Sequence, residues 1–293
     1  MKKVILTGAT GLIGQYSIES LLEKGFEVFA ISTKEQPKSD ITWIKADLLN
    51  FSDLKKVFEE VKPDYLLHFG WDVTHGKYLE SESNVDWLKS SLEMLKCFKN
   101  NGGKRAVFAG TCFEYELGDD LLKEYETPTN PATKYGKCKN ELNQMANLYA
   151  KENDISFGWG RIFYVYGKNE NPNRLIPYII NNLKNNQQVI LKSGDLIKDY
   201  LYGKDIAAAF VEFLDSQIQG DVNICSNNPI KIKDMALLIA QKLNKNNLLE
   251  LQPIKNNEPQ IILGDNTRLT QEVGYIYKYS LESGIEDLLK ESL

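Results

Sequence analysis

The chain has 293 residues, 42% of them hydrophobic and 26% charged, a globular balance with enough material for one large domain or two intimate ones. With 35 Lys and Arg against 40 Asp and Glu the net charge is -5, which leaves no cationic face of the kind that nucleic acid requires. An anionic ligand must therefore meet local cations rather than a global field. No run approaches the ~20 apolar residues of a membrane span, and the first apolar run is a short strand interrupted by glycine rather than a signal peptide.

That run is Val4-Ile5-Leu6, and Thr7-Gly8-Ala9-Thr10-Gly11-Leu12-Ile13-Gly14 follows it. Ile18, Leu21 and Leu22 then recur at helical spacing, Gly25 ends the helix, and Phe26 to Ile31 reads as a second strand. Glycines spaced G-x-x-G-x-x-G at the first turn of a β-α-β unit have a physical reading. Gly8 permits a tight turn, Gly11 lets backbone approach a pyrophosphate, and Gly14 lets helix and strand pack closely. The phosphates would sit at the helix N-terminus, so Gly8, Thr10, Gly11, Leu12, Ile13 and Gly14 are expected to cradle a dinucleotide. At the end of the second strand, a carboxylate would bind the adenosine ribose of NAD. The chain has Ser32-Thr33-Lys34 there. Two hydroxyls and an ammonium suit a 2′-phosphate better, so NADP is expected with NAD as the alternative. Lys34 could instead simply point into solvent.

Residues 43–46 read as a third strand, ending at Asp47-Leu48. A helix over 52–61 and a strand over 65–69 follow, the latter ending Phe69-Gly70-Trp71. Next come a long helix over 84–99, a strand over 106–109 ending Gly110-Thr111-Cys112, and a helix starting just after Thr129-Asn130-Pro131. Residues 155–161 begin another strand. Strands alternating with helices imply an α/β fold with a doubly wound, Rossmann-type parallel sheet. Ligands in such sheets sit beyond the carboxyl ends of the strands, so Gly8, Ser32, Gly70 and Thr111 are expected to converge. After Tyr166, Pro172, Pro177, Pro229, Pro253 and Pro259 break the pattern into short pieces, and 181–188 reads as a helix surface. The expected division is a dinucleotide-binding domain over 1–165, to which 199–222 returns through a segment at 199–213. Residues 166–198 and 223–293 form a smaller α/β substrate-binding lobe.

Tyr135 and Lys139 lie four apart, on one helix face. An ammonium near a phenol lowers its pKa from ~10 toward neutrality, where it becomes a usable acid or base. Beside a dinucleotide loop, that pair points to hydride transfer at a carbonyl or alcohol. The four cysteines (Cys97, Cys112, Cys138, Cys225) show no C-x-x-C spacing, and His68 and His75 are the two histidines. No metal site is legible, and the thiols read as reduced, in a cytoplasmic protein. His68 is expected in the core, and Cys112 has no base to activate it.

Together these residues resemble the extended short-chain dehydrogenase/reductases that act on nucleotide sugars, the sugar epimerase/dehydratase superfamily. Thr7 to Gly14, Asp47-Leu48, Thr111, Tyr135 with Lys139, Arg161-Ile162-Phe163-Tyr164-Val165-Tyr166-Gly167, Lys198-Asp199-Tyr200-Leu201-Tyr202-Gly203-Lys204-Asp205-Ile206-Ala207 and Val222-Asn223-Ile224 carry the resemblance across nearly the whole chain. It implies a catalytic set of Thr111, Tyr135 and Lys139. Asp47, Leu48, Phe69, Gly70, Trp71 and Phe163 would join the glycine loop and Ser32-Thr33-Lys34 around the dinucleotide. On the substrate side it implies Trp71, Thr111, Cys112, Glu114, Tyr164, Arg174, Lys198 and Arg268. Trp71 could stack on the sugar or the nicotinamide, or pack the lobe. Glu114 could bond a sugar hydroxyl or lie on the surface. Arg174 and Arg268 could meet the substrate diphosphate or form surface salt bridges, and Lys198 stands where the family often has an arginine.

The departures narrow the reading. Family dehydratases carry Asp-Glu directly after the catalytic Thr; here Cys112-Phe113 follow, so water elimination lacks its acid. The double epimerases carry Cys and His near the keto group, where Phe113 and Arg174 stand. The reaction the resemblance then implies is NADP-dependent reduction of a nucleotide-linked 4-keto-6-deoxy hexose. A 4-epimerase retaining NAD and a non-catalytic nucleotide-binding regulator are the alternatives. The long helices at 84–99 and 131–151 carry more apolar surface than one sheet face needs, and in the family such helices pair across a dimer axis, so a homodimer is expected.

Overall fold

The computed structural model describes residues 2–118, 120–192, 194–252 and 260–291. Its first half is built from β1 (Lys2–Thr7), α1 (Gly14–Glu23), β2 (Phe26–Ser32), β3 (Thr42–Lys45), α2 (Phe51–Val61), β4 (Tyr65–His68), α3 (Ser83–Asn100), β5 (Arg105–Thr111), β6 (Leu121–Leu122), α4 (Lys134–Glu152) and β7 (Ser156–Ile162). The second half continues with β8 (Tyr164–Tyr166), α5 (Leu175–Lys184), β9 (Val189–Leu191), β10 (Ile197–Lys198), β11 (Tyr200–Tyr202), α6 (Gly203–Asp215) and β12 (Gly220–Ile224). The last described elements are β13 (Ile230–Lys231), α7 (Ile232–Lys242), β14 (Leu249–Leu251), β15 (Ile261–Gly264) and α8 (Leu281–Glu291).

Seven strands form one sheet in the order β12-β7-β5-β4-β1-β2-β3, and every pairing in it is parallel. Successive residues of a strand face opposite sides, and both sides are apolar here, as a parallel sheet covered on two faces demands. Val4 and Leu6 of β1 pack with Leu21 of α1 and with Ile206, Phe210 and Phe213 of α6. Ile5, between them, packs on the other face with Phe58 of α2, Leu95 and Phe98 of α3, and Leu142 and Ala146 of α4. The order in which strands are added reverses between β1 and β4, with β2 and β3 on one side and β4, β5, β7 and β12 on the other, so a crevice opens beyond the carboxyl ends of these two strands.

The lobe that covers this crevice has its own core, in which Ile179 and Leu183 of α5 and Met235 and Ile239 of α7 join Ile285 of α8. Its ladders are short: β13-β10-β15-β6, β11-β8 and β14-β9. The segment expected to return to the main sheet at 199–213 divides differently. Its strand, β11, pairs with β8, whereas α6 lies on the sheet and β12 joins it beside β7. Pro177 breaks nothing, because it sits in the first turn of α5, where a missing N–H costs little. Of the expected helix surface at 181–188, α5 reaches only Lys184. Pro253 and Pro259 lie outside the described residues.

Candidate active site

The glycine loop adopts the expected backbone. Gly8 has φ +68, and a Cβ there would lie 2.8 Å from the Phe69 carbonyl carbon. A Cβ on Gly14 would run into the Gly8 carbonyl oxygen. A Cβ on Gly11 would meet only the Gly8 oxygen, at 3.1 Å, and otherwise project into open space. Ile13 caps α1 with no side-chain acceptor, so an anion at this helix start meets no competing side-chain oxygen. This cradle fits the pyrophosphate of a dinucleotide.

The crevice is a cavity of about 960 Å³, at the upper end of the ~300–1,000 Å³ typical of small-molecule sites. Its wall includes Gly8, Thr10, Gly11, Leu12, Ile13, Gly14, Ser32, Thr33, Asp47, Leu48, Phe69, Gly70, Trp71, Thr111, Cys112, Tyr135, Lys139, Phe163, Tyr164 and Arg174. Residues far apart in the chain thus meet because most of them lie at or just past the carboxyl end of a main-sheet strand or in the first turns of the next helix. Thr7 Oγ1 sits 2.7 Å from His68 Nδ1 and accepts from the Gly70 N–H, while His68 Nε2 lies 2.9 Å from Ser91 Oγ. His68 is therefore a core histidine that pins two strand ends, and burial drops its pKa to about 3, so it stays neutral.

Tyr135 and Lys139 owe their position to α4, which starts at Lys134, not directly after Pro131. Thr133 caps it by accepting from the Gly136 N–H at 3.1 Å. Lys139 is buried, donates to the Ala109 carbonyl at 2.7 Å, and holds its ammonium 3.9 Å from the centroid of Trp71. Burial pushes its pKa down to about 7, against the opposing charge of Glu114. Tyr135 is ringed by Tyr78, edge-on at 5.0 Å, and Trp71 at 6.2 Å. Its phenol departs from expectation. Burial holds it well above its ordinary value and Tyr78 adds to this, while a hydrogen bond with Thr111 works the other way. Within the polypeptide, desolvation dominates, and the phenol keeps its proton. Cys112 is likewise buried, with its thiol pushed up to about 12, so it is no nucleophile.

Four expected site residues are elsewhere. Glu114 neither faces the crevice nor lies on the surface. It is fully buried, accepts the Thr111 N–H at 2.8 Å, and pairs with Arg161 at 2.8 Å, which in turn pairs with Asp221 at 2.9 Å. Arg268 lies at the start of β12, away from the carboxyl ends, where it binds Glu272 and the Gln219 carbonyl. Lys198 is buried in β10 with its ammonium over the Tyr164 ring, behind the cavity wall rather than on it. Lys34 is exposed and outside the wall. Cations near Ser32 do include Lys45, which pairs with it in register across β2 and β3. Lys45 and the wall residues Tyr78, Asn169, Glu170, Asn171 and Tyr200 carry no site role in the sequence reading. Glu170 had one local signal, a carboxylate three residues past the Tyr166-Gly167 strand end.

All four cysteines are free and buried, and no helix of the described residues is long and apolar enough to cross a membrane. Fold and crevice together define a Rossmann-type nucleotide-binding protein of the short-chain dehydrogenase/reductase class. Residues 4–225 match the NAD dependent epimerase/dehydratase family, and the chain belongs to that family. It is 28% identical to dTDP-6-deoxy-L-talose 4-dehydrogenase (NAD(+)) of Aggregatibacter actinomycetemcomitans, over 87% of this chain and 94% of that one. With the dTDP-4-dehydro-6-deoxyglucose reductase of Escherichia coli it shares 27% identity, over 98% and 96% of the two chains. Among solved structures, the UDP-glucose 4-epimerase of Thermotoga maritima, with UDP-glucose, superposes with a TM-score of 0.87 at 18% identity, covering 99% of each chain.

Proposed function

We propose that the protein reduces a nucleotide-linked 4-keto-6-deoxy hexose at the expense of NADPH. The observation that carries this reading is the Tyr135 phenol, buried with its proton beside the Thr111 hydroxyl at the crevice. Reduction of a carbonyl needs one hydride and one proton. A dinucleotide bound to the glycine loop supplies the hydride. Thr111 donates a hydrogen bond to the carbonyl oxygen, and Tyr135 hands that oxygen its proton. Lys139 holds the dinucleotide ribose and steadies the tyrosinate left behind. Proton donation of this kind contributes on the order of 10²–10⁴-fold, and alignment of donor and acceptor supplies most of the rest.

Cys112 and Phe113 offer no acid for eliminating water, which favours reduction over dehydration. The similarity to two enzymes named for 4-keto and 6-deoxy sugars supports the substrate class. Ser32 and Thr33 on the wall, with Lys45 in register beside Ser32, support a 2′-phosphate and so NADP. Tyr164, Trp71 and Arg174 are the substrate-side candidates, with Arg174 for the diphosphate. The exposed Met145 and Leu148 of α4 support pairing with a second copy as a homodimer.

The test is to follow NADPH absorbance with a panel of nucleotide-linked 4-keto sugars. At least one should be reduced, and Tyr135→Phe should lose at least 100-fold in kcat while still binding NADPH. Interconversion of two nucleotide sugars without net NADPH consumption would decide for a 4-epimerase instead. Dinucleotide binding with no turnover of either kind would decide for a regulator.

A further inference from the structure

One side chain of the cavity wall is left unexplained by that chemistry. Glu170 follows β8 in the loop 167–174 that leads into α5. Its carboxylate lies by the Gly167 backbone, and Oε2 is buried with no hydrogen-bond partner, the one such side-chain atom among the described residues. Leaving an acceptor buried and unpaired is costly, the more so when it is charged, and native proteins rarely tolerate it without a use. Burial pushes the Glu170 pKa up to about 7, although Arg174 opposes this. Arg174, also on the wall, holds its guanidinium 5.6 Å from the Tyr78 ring, and Tyr78 in turn packs against Tyr135. The guanidinium therefore stands one aromatic ring away from the proposed proton donor, on the lobe side, and the carboxylate lies within its field.

We propose that Glu170 is a specificity-determining acceptor, whose carboxylate takes a hydrogen bond from a hydroxyl of the substrate while Arg174 meets the adjacent diphosphate. The inference rests on the nucleotide-sugar reading above. The terminal torsion of a glutamate is broad and two-fold, so a turn of the carboxylate can present either oxygen to a ligand at the wall. The free protein then bears an unmet acceptor that a substrate hydroxyl satisfies. Ligands lacking a donor at that point are rejected, because they leave the acceptor unpaired. The hydroxyl belongs either to the hexose or to the ribose of the nucleotide.

Calorimetric titration separates these outcomes. Wild type, Glu170→Gln and Glu170→Ala are titrated with UDP-, dTDP- and CDP-glucose, with the parent nucleoside diphosphates, and with NADPH. Glu170→Ala should bind the preferred nucleotide-glucose about 10- to 100-fold more weakly, the range for a hydrogen bond to a charged group, and should bind NADPH unchanged. If the nucleoside diphosphate alone also binds unchanged, the hydroxyl is on the hexose; if it weakens equally, the hydroxyl is on the ribose. Both variants should melt no lower than wild type, because a purely structural carboxylate would lower the melting temperature and this one is unmet. A nucleotide-glucose affinity within twofold of wild type in Glu170→Ala, or a variant that melts lower, overturns the proposal. A wild-type protein that binds NADPH but none of the nucleotide-glucoses overturns the nucleotide-sugar reading itself, a result distinct from either.

Discussion

Lys139 is held by opposing forces. The Ala109 carbonyl and the face of Trp71 favour its ammonium, while burial brings its pKa down to about 7. In the unfolded chain a lysine titrates near ~10.4. Between those values the unfolded state binds the extra proton, so stability rises with pH across that window and the penalty is fully present below it. Lys139→Met should therefore melt higher than wild type at pH 6.5, with the gain shrinking toward pH 10; a pH-independent difference would refute this. Glu114 is the opposite case, a charge with every partner in place. Glu114→Ala leaves Arg161 buried and half-paired and should cost about 3–5 kcal/mol in denaturant unfolding. Its role was not legible in the sequence because its partners, Trp159 and Arg161, lie on β7. Nothing local says which strand will pair with β5 or in what register. Lys139 and Tyr135 were legible because a helix puts residues four apart on one face whatever surrounds it. The direction of the phenol's shift was not, since burial is a property of the finished fold.

The strand-loop-helix at the N-terminus is the element read most completely, because its demands are local: a tight turn, close backbone approach and close packing, each met by one glycine. Gly14→Ala drives a methyl into the Gly8 carbonyl and should cost ~1–3 kcal/mol of stability, with NADPH affinity falling further than that of a nucleotide sugar. Equal losses for both ligands would count against the loop as the dinucleotide site. Helix α4 was placed a few residues early because Pro131 looks like a first-turn proline, whereas Thr133 supplies the capping oxygen. The lobe was legible only in outline. Ladders of two or three residues, such as β10-β13 and β14-β9, carry too little periodicity to announce themselves. The two aspartates of the 198–207 segment are similar. Asp199 accepts from the Ser226 and Asn227 N–H groups, and Asp205 from Tyr275 and the Lys278 and Tyr279 N–H groups. They staple loops together rather than serve the cavity, a distinction that depends on contacts across the chain.

At the scale of the molecule, alternation of strands and helices was enough to foresee a parallel sheet and a crevice at its carboxyl ends. Which lobe residues close over that crevice had to come from the fold. The exposed apolar pair on α4 belongs to this scale too. Met145→Glu with Leu148→Glu should turn a sedimenting dimer into a monomer; a wild-type monomer would refute the pairing. The buried Glu114–Arg161–Asp221 chain has a further consequence. Thr111 is steadied by Glu114, Glu114 by Arg161, and Arg161 by a carboxylate on the last strand of the sheet, where Asn223 also accepts from Tyr115, 108 residues earlier in the chain. During synthesis, the nucleotide cradle can form while the ribosome is still extending the chain. The seating of Thr111 cannot, because its chain of support ends on β12 and is complete only once that last edge of the sheet has docked.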